Sequence, residues 1–565
     1  MKFFKQALMF FLFCILSNPM SGDEKLKSQP KNPISVTVDA SKAIGQIEPI
    51  WNGIGGNLGL ALTPQGERLL QRIVESSPYP FYRRCWGMTE GGIGGLSTLE
   101  SDYGSTNVYN LDENGHPFYD FTLFDQIVKV VVSKKFIPIM HLGSMPDSLS
   151  SAPASVPRKK ENLVKYPPKD YNIWYDLIYN IVKHSVDTYG KEEVSTWKWE
   201  LWNEPDITGY WLGTEEEYFK MYDYTASAVK AAFPQAQVGG NAVTHSKTRG
   251  TPFLTRFIEH CLRGTNFKDG SVGTPLDFIT FHLKATNFAI YKIGNFTSEK
   301  LPSNYPKFSP NLQFLLECAR HNMEKIASIP GTAGIPVYIT ECDIDIGLTI
   351  SMYENPNVEY RNTEYYPAFQ CALAKEMLDI STSFPANPIK CFTIDALFYP
   401  GYRIFEGQRA LFTAEDIEKP IFNSYRLLGK LGTERIQFEC SGNNHVDGIA
   451  TRNTGNIQVM VYNYNQDVKD REMRNVELSV NLLSSKSYRL SHYRIDENHS
   501  NAYTVWKSLG RPFTPDVKQM AQIKSKQGLE LYEPEKTIKP LNNKIVIPLE
   551  LPHHSVSLLV LEPVK

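Results

Sequence analysis

Residues 197–205 read Trp197-Lys198-Trp199-Glu200-Leu201-Trp202-Asn203-Glu204-Pro205. The run has the texture of a buried strand, and Pro205 ends strand pairing just after Glu204 because it has no N–H to donate. That places Glu204 at a strand's C-terminal rim. A second segment, Pro336-Val337-Tyr338-Ile339-Thr340-Glu341-Cys342-Asp343, sets mostly apolar residues before Glu341 and puts another carboxylate at a strand end.

Working outward, short apolar runs alternate with longer stretches whose apolar residues recur at three and four, the rhythm of βα units on a parallel sheet. Eight strands are predicted: Trp51 to Leu58, Phe81 to Trp86, Ile137 to Gly143, Trp197 to Glu204, Gln237 to Val243, Asp277 to Leu283, Pro336 to Asp343 and Cys391 to Phe398. Helical stretches such as Phe124 to Lys134 and Thr214 to Phe233 lie between them. Eight such units predict an α/β fold, a (β/α)8 TIM barrel over residues 49–431, with its chemistry at the C-terminal ends of the strands. Strand-like runs with turn-rich joints then predict a β-sandwich domain over 432–565, to which a strand within 34–48 is expected to add. The glycine runs Gly53 to Gly59 and Gly91 to Gly95 lack the register of a nucleotide loop and read as tight turns.

The first 22 residues combine a basic start, an apolar run from Ala7 to Leu16 and a small-residue exit, the pattern of a signal peptide. This predicts the secretory pathway, whether secreted, periplasmic or lysosomal, and no later run is long enough for a membrane span. In all, 59 Lys and Arg against 61 Asp and Glu leave a formal charge of -2, with no basic block to suggest nucleic acid as a partner. Of 8 cysteines, Cys14 lies in the signal segment; the others show no CxxC spacing, so mostly buried free thiols are expected, with at most one bridge and neither a disulfide framework nor a metal site.

Two rim carboxylates suit glycosidic bond cleavage, in which one group protonates the leaving oxygen and the other meets an oxocarbenium-like carbon. For a reaction that retains configuration they should lie about 5 to 5.5 Å apart. The plainer alternative is a pair of salt-bridged rim residues.

Trp202-Asn203-Glu204-Pro205, with Thr340-Glu341 on a later strand, resembles the clan of retaining glycosidases that carry acid/base and nucleophile on strands four and seven. Within it the chain is similar to glycoside hydrolase family 39, which holds α-L-iduronidases and β-xylosidases; the stretch Tyr493 to Tyr503 followed by Trp506 resembles that family's C-terminal region. The resemblance implies Glu204 as acid/base, Glu341 as nucleophile and Asn203 as a donor to the sugar 2-hydroxyl. It implies no cofactor and a glycan or oligosaccharide substrate, and leaves the oligomeric state open.

Which sugar is taken turns on cations. Period-two alternation puts Thr280, His282 and Lys284 on one side of the sixth strand, with Lys284 outermost, and Thr393 and Asp395 on one face of the eighth. The family's iduronidases carry His-x-Lys where this chain has His282 and Lys284, and an Asp and a Gln-Arg spaced as Asp395 and Gln408-Arg409; Gly347 also falls at one of their substrate contacts. The expectation is therefore an exo-acting enzyme for terminal α-L-iduronosyl residues, with Lys284 and Arg409 reading the carboxylate. Its rivals are a β-xylosidase or other neutral-sugar enzyme and, from a different class, an inactive carbohydrate-binding barrel.

Overall fold

The computed structural model describes residues 33–56, 62–89, 106–286, 310–348, 350–353, 355–395, 397, 403–442, 445–482 and 486–564. The signal peptide, the end of the first predicted strand at Leu58, Ala396 and Phe398 of the eighth, and the turn at Gly91 to Gly95 lie outside them.

Strand β4 (Lys198–Leu201) is buried along its whole length because it is one stave of a parallel barrel covered on both faces. The others are β1 (Gly53–Ile54), β2 (Tyr82–Cys85), β3 (Ile137–Leu142), β5 (Gln237–Val243), β6 (Phe278–Lys284), β7 (Val337–Asp343) and β8 (Ile389–Phe392), hydrogen-bonded in sequence order. The seam between first and last strands closes through a parallel bridge from Ile54 to Ile394, and Ile394 N donates to Gly53 O at 3.2 Å. A helix follows each strand: α1 (Pro64–Glu75), α2 (Thr122–Ser133), α3 (Tyr171–Tyr189), α4 (Glu215–Ala232), α5 (Gly250–Arg263), α6 (Leu312–Ser328), α7 (Tyr365–Ser383) and α8 (Pro420–Leu428). Side-chain caps mark the starts of α1 (Thr63), α3 (Asp170), α4 (Thr214) and α6 (Asn311). Thr214 and Glu217 form a reciprocal capping box at α4, whose Tyr218, Met221, Tyr222, Thr225 and Val229 then turn inward at helical spacing.

In the second domain the strand Ile34–Gln46 pairs antiparallel with β9 (Glu434–Ser441) and parallel with β12 (Arg474–Asn481). With β10 (Val446–Asn453), β11 (Asn456–Asn463), β13 (Tyr488–Ile495), β14 (Lys544–Leu551), β15 (Ser555–Pro563) and two short edge strands they form one ten-stranded sheet. The hydrogen bonding is continuous, so the two layers of the expected sandwich are parts of a single curled sheet closed over Val36, Val459, Leu478, Leu490 and Leu561. Two short helices, Ala502–Ser508 and Val517–Lys524, interrupt it. They pack Tyr503, Trp506 and Ile523 against Met352, Val358, Ile404, Phe405 and Ile417 of the barrel's rim loops.

Cys85, Cys261, Cys318, Cys342, Cys371 and Cys391 are buried free thiols, and Cys440 is a half-buried one. No described helix is long and apolar enough to cross a membrane.

Barrel closure leaves no room for a side chain at Gly53, where a Cβ would lie 2.4 Å from Phe392 O and 2.6 Å from Cys391 Sγ. Gly53→Ala is expected to destabilise the protein by about 2 kcal/mol or more, read as a lowered thermal midpoint. Gly528→Ala, whose methyl would meet nothing within 4 Å, should leave the midpoint in place.

Candidate active site

The floor of the barrel mouth is a buried guanidinium. Arg84, on β2, donates from Nε to Glu200 Oε2 at 2.7 Å, from Nη1 to Glu341 Oε1 at 2.8 Å and from Nη2 to Asn203 Oδ1 at 3.0 Å. Glu200 sits inside β4 and completes its shell with Thr340 Oγ1 at 2.7 Å. Arg84 and Glu200 are both excluded from solvent, so the pair is stable only with these bonds made.

Glu204 stands three residues beyond β4, in a turn where Trp202 and Glu204 both take left-handed backbone angles, φ 64° and 43°. Such residues cost roughly 1–3 kcal/mol each and need support from their surroundings. Here Trp202 N donates to Leu142 O at 3.1 Å and Glu204 N to Ala242 O at 2.9 Å. The Trp202 ring packs edge-on against Trp211 with centroids 5.2 Å apart, a scaffolding role. The turn delivers the Glu204 carboxyl to β6, with Oε1 2.9 Å from His282 Nδ1.

On β7 the register against β6 shifts at Thr340, so that Glu341 lies opposite His282 and Asp343 opposite Lys284. Lys284 Nζ donates to Glu341 Oε2 at 2.5 Å and also to Asp343 Oδ2. Asp343 further accepts Arg409 Nη2 at 3.1 Å and the Asp395 backbone N–H at 2.9 Å. Arg409 bonds the Asp345 carbonyl, and Asp345 takes a two-nitrogen fork from Arg361 at 2.8 Å each. Gly347 belongs to this outer group, accepting Arg361 Nη2 at 2.6 Å.

Asn203, Glu204, His282, Lys284 and Glu341 thus converge directly. Arg409 and Asp395 join through Asp343, while Gly347 is linked only through the Arg361–Asp345 pair. Arg84, Glu200, Asp343 and Asp345 were not among the sequence-predicted site residues. Asp343 had a signal, two places beyond Glu341 at strand period, whereas Glu200 reads as any interior strand residue.

A carboxyl oxygen of Glu204, one of Glu341 and a ring nitrogen of His282 all lie within 4.8 Å of one another. Burial pushes the Glu204 acid well above its usual range, and the Glu341 charge pushes it further. At Glu341 burial also favours the neutral acid, but His282, Lys284 and Arg84 together outweigh it and hold the group below the usual range. Burial drives the His282 imidazole well down, so the 2.9 Å contact is best described as protonated Glu204 donating to neutral His282. Burial, then Glu341 and Asp343, raise Asp395 to about 6. Glu204, His282 and Glu341 are also the described group with metal-ligand spacing. Arg84 and Lys284 already occupy both Glu341 oxygens, and two fixed cations beside the position oppose a third.

The sequence model of Glycosyl hydrolases family 39 matches residues 34–536. Among curated relatives, a β-xylosidase of Geobacillus stearothermophilus is 26% identical over 517 residues, spanning 90% of this chain and 92% of that protein. An α-L-iduronidase of Canis lupus familiaris is 22% identical over 561 residues, spanning 93% of this chain and 78% of that protein. Among solved structures, a monomeric β-xylosidase from Caulobacter crescentus superposes with a TM-score of 0.73 at 20% identity, covering 94% of this chain and all of that one, a likeness of fold.

Because Glu341 is one cause of the raised Glu204 pKa, Glu341→Gln should lower it, as read by carbon-13 NMR titration of labelled glutamate side chains. An unchanged or higher value would mean that the two carboxyls do not sense each other.

Proposed function

The chain belongs to glycosyl hydrolases family 39, and from that premise we propose that it is a retaining exo-glycosidase with Glu341 as nucleophile and Glu204 as acid/base. The observation that carries the reading is that a carboxyl oxygen of Glu204 and one of Glu341 come within 4.8 Å of each other, closer to the roughly 5–5.5 Å of retaining pairs than to the roughly 6.5–9.5 Å of inverting ones.

In the first step Glu341, ionised beside Lys284 and Arg84, forms a bond to the anomeric carbon while Glu204 gives its proton to the departing oxygen. In the second, water attacks that carbon, Glu204 takes the water's proton, and the Glu341 carboxylate leaves. Asn203, held by Arg84, is positioned for the sugar 2-hydroxyl. His282 orients the Glu204 carboxyl.

For the terminal sugar we favour α-L-iduronate. Lys284 and Arg409 stand at the same rim, and Lys284 with three N–H groups spends two on Glu341 and Asp343, leaving one for a substrate carboxylate. Asp395, with a buried Oδ1 that has no partner among the described residues, suits a ring hydroxyl. Hydrolysis of β-xylosides is the second reading, favoured by the 26% identity to a β-xylosidase over 90% of the chain. The predicted signal peptide places the enzyme in the secretory pathway.

Matched aryl α-L-iduronide and aryl β-D-xyloside separate the two. Lys284→Met should reduce kcat/KM for the iduronide far more than for the xyloside; a xyloside preference in the unaltered enzyme overturns the uronate assignment and keeps the chemistry. Glu204→Gln should lower kcat by about 10²–10⁴-fold, less for an aryl group that leaves without protonation. Glu341→Gln should abolish turnover for both leaving groups. Proton NMR of the first-formed sugar should show the substrate's anomeric configuration, and inversion would remove the double displacement.

A further inference from the structure

Outside the catalytic cluster, two aromatic rings at the rim are left open to solvent with an arginine between them. Tyr353 is 50% exposed and Phe513 61%. The Arg403 guanidinium carbon lies 5.5 Å from the first ring centroid and 4.5 Å from the second. They come from three separate segments: Tyr353 from the loop after β7, Arg403 from the loop after β8, and Phe513 from the second domain between its two short helices.

The segments are firmly held. Met352 N donates to Glu406 O at 2.7 Å, Asn362 Nδ2 to Phe405 O at 2.9 Å and Trp506 Nε1 to Pro512 O at 3.0 Å. Arg511 pairs with Glu359 at 2.8 Å, and Met352, Phe405, Tyr503 and Trp506 form a buried apolar cluster. The exposed rings therefore stand on a packed base. Arg403 makes no ion pair among the described residues; the nearby Glu406 carboxylate accepts from the Arg403 backbone N–H, at 2.6 Å. The same two loops carry Arg361 and Arg409, and Arg361 Nη1 donates to Gly407 O at 3.0 Å, so this surface is continuous with the outer group of the site.

We propose that Tyr353, Arg403 and Phe513 form a binding platform for a sugar ring of the leaving glycan that carries an anionic group, a carboxylate or a sulfate; the proposal rests on the glycosidase reading. Pyranose rings expose C–H faces that pack on aromatic faces, and a rigid apolar patch rimmed by polar groups marks a binding surface. A guanidinium stacked on rings is pre-oriented, and its fork matches carboxylate and sulfate oxygens in pairs. The chemistry at Glu204 and Glu341 needs none of the three, so they set which glycan is held and not how it is cut.

The test compares three substrates of the terminal sugar that the enzyme cleaves: its glycosyl fluoride, which has no aglycone ring, and the same sugar linked to glucose or to glucuronic acid. Arg403→Gln should lower kcat/KM about tenfold for the glucuronic acid conjugate and little for the other two. Tyr353→Ala and Phe513→Ala should weaken both disaccharides and spare the fluoride. Equal losses on all three substrates, or no loss on either disaccharide, overturn the platform and leave the glycosidase reading standing. Failure of the unaltered enzyme to cleave any of the three overturns that reading and the platform with it. Conjugates of glucose and of glucose 6-sulfate extend the comparison and tell a sulfate reader from a carboxylate reader.

Discussion

A guanidinium with no access to water is a constraint on everything around it. Arg84 can remain charged inside the barrel only because Glu200, Glu341 and Asn203 meet its nitrogens, the first from β4, the second from β7 and the third from just beyond β4. Removing one partner from such a buried set typically costs 3–5 kcal/mol. The planar fork therefore does two jobs with one set of bonds. It ties β2, β4 and β7 at the depth where side chains must be placed to within fractions of an ångström, and it fixes Glu341 and Asn203, the proposed nucleophile and the proposed donor to the sugar.

The division of labour between the two carboxyls follows from who their neighbours are. Both are buried to a similar degree and close together, so one proton between them is the natural state. Lys284 and Arg84 both bond Glu341, while the partner of Glu204 is an imidazole that burial keeps neutral. The proton therefore resides on Glu204. The asymmetry is set on β7, by the register shift beside Glu341 that places it opposite His282 and within reach of the lysine.

The barrel was legible because its signal is redundant: each strand is a short apolar run, each helix repeats at three and four, and Pro205 marks where β4 must stop. The carboxylates were legible because they stand just where those runs end. The partners were harder. Glu200 lies inside a strand, where its charge makes sense only once Arg84, far away in sequence, is known to face it. Alternation puts Asp343 on the face of Glu341, but that this face meets His282 and Lys284 depends on a bulge that alternation does not reveal. The helices at 502–508 and 517–524 were missed among strands although local marks were present, Asn501 capping the first and Asp516 with Gln519 boxing the second. Their reason is tertiary, since their apolar residues are satisfied by the barrel's loops.

What separates a uronate from a neutral sugar in this site is charge balance. Arg84, Lys284 and Arg409 are matched by Glu200, Glu341 and Asp343, and the outer Arg361 by Asp345, so the fixed charges already cancel. A neutral sugar enters at no electrostatic cost. A carboxylate adds a negative charge, and it is tolerated to the extent that Glu204 and Asp395 hold their protons. Burial pushes both toward the protonated form, Asp395 to about 6, and a substrate carboxylate beside them would push further in the same direction. The Lys284 N–H left over and the buried Arg409 Nε–H, which has no partner among the described residues, then have an acceptor to meet, something a xylose ring, lacking a C5 substituent, does not present there. With Glu204 as the proposed acid/base and Asp395 beside it, the same acids decide, by staying neutral, whether an acidic sugar can share their pocket.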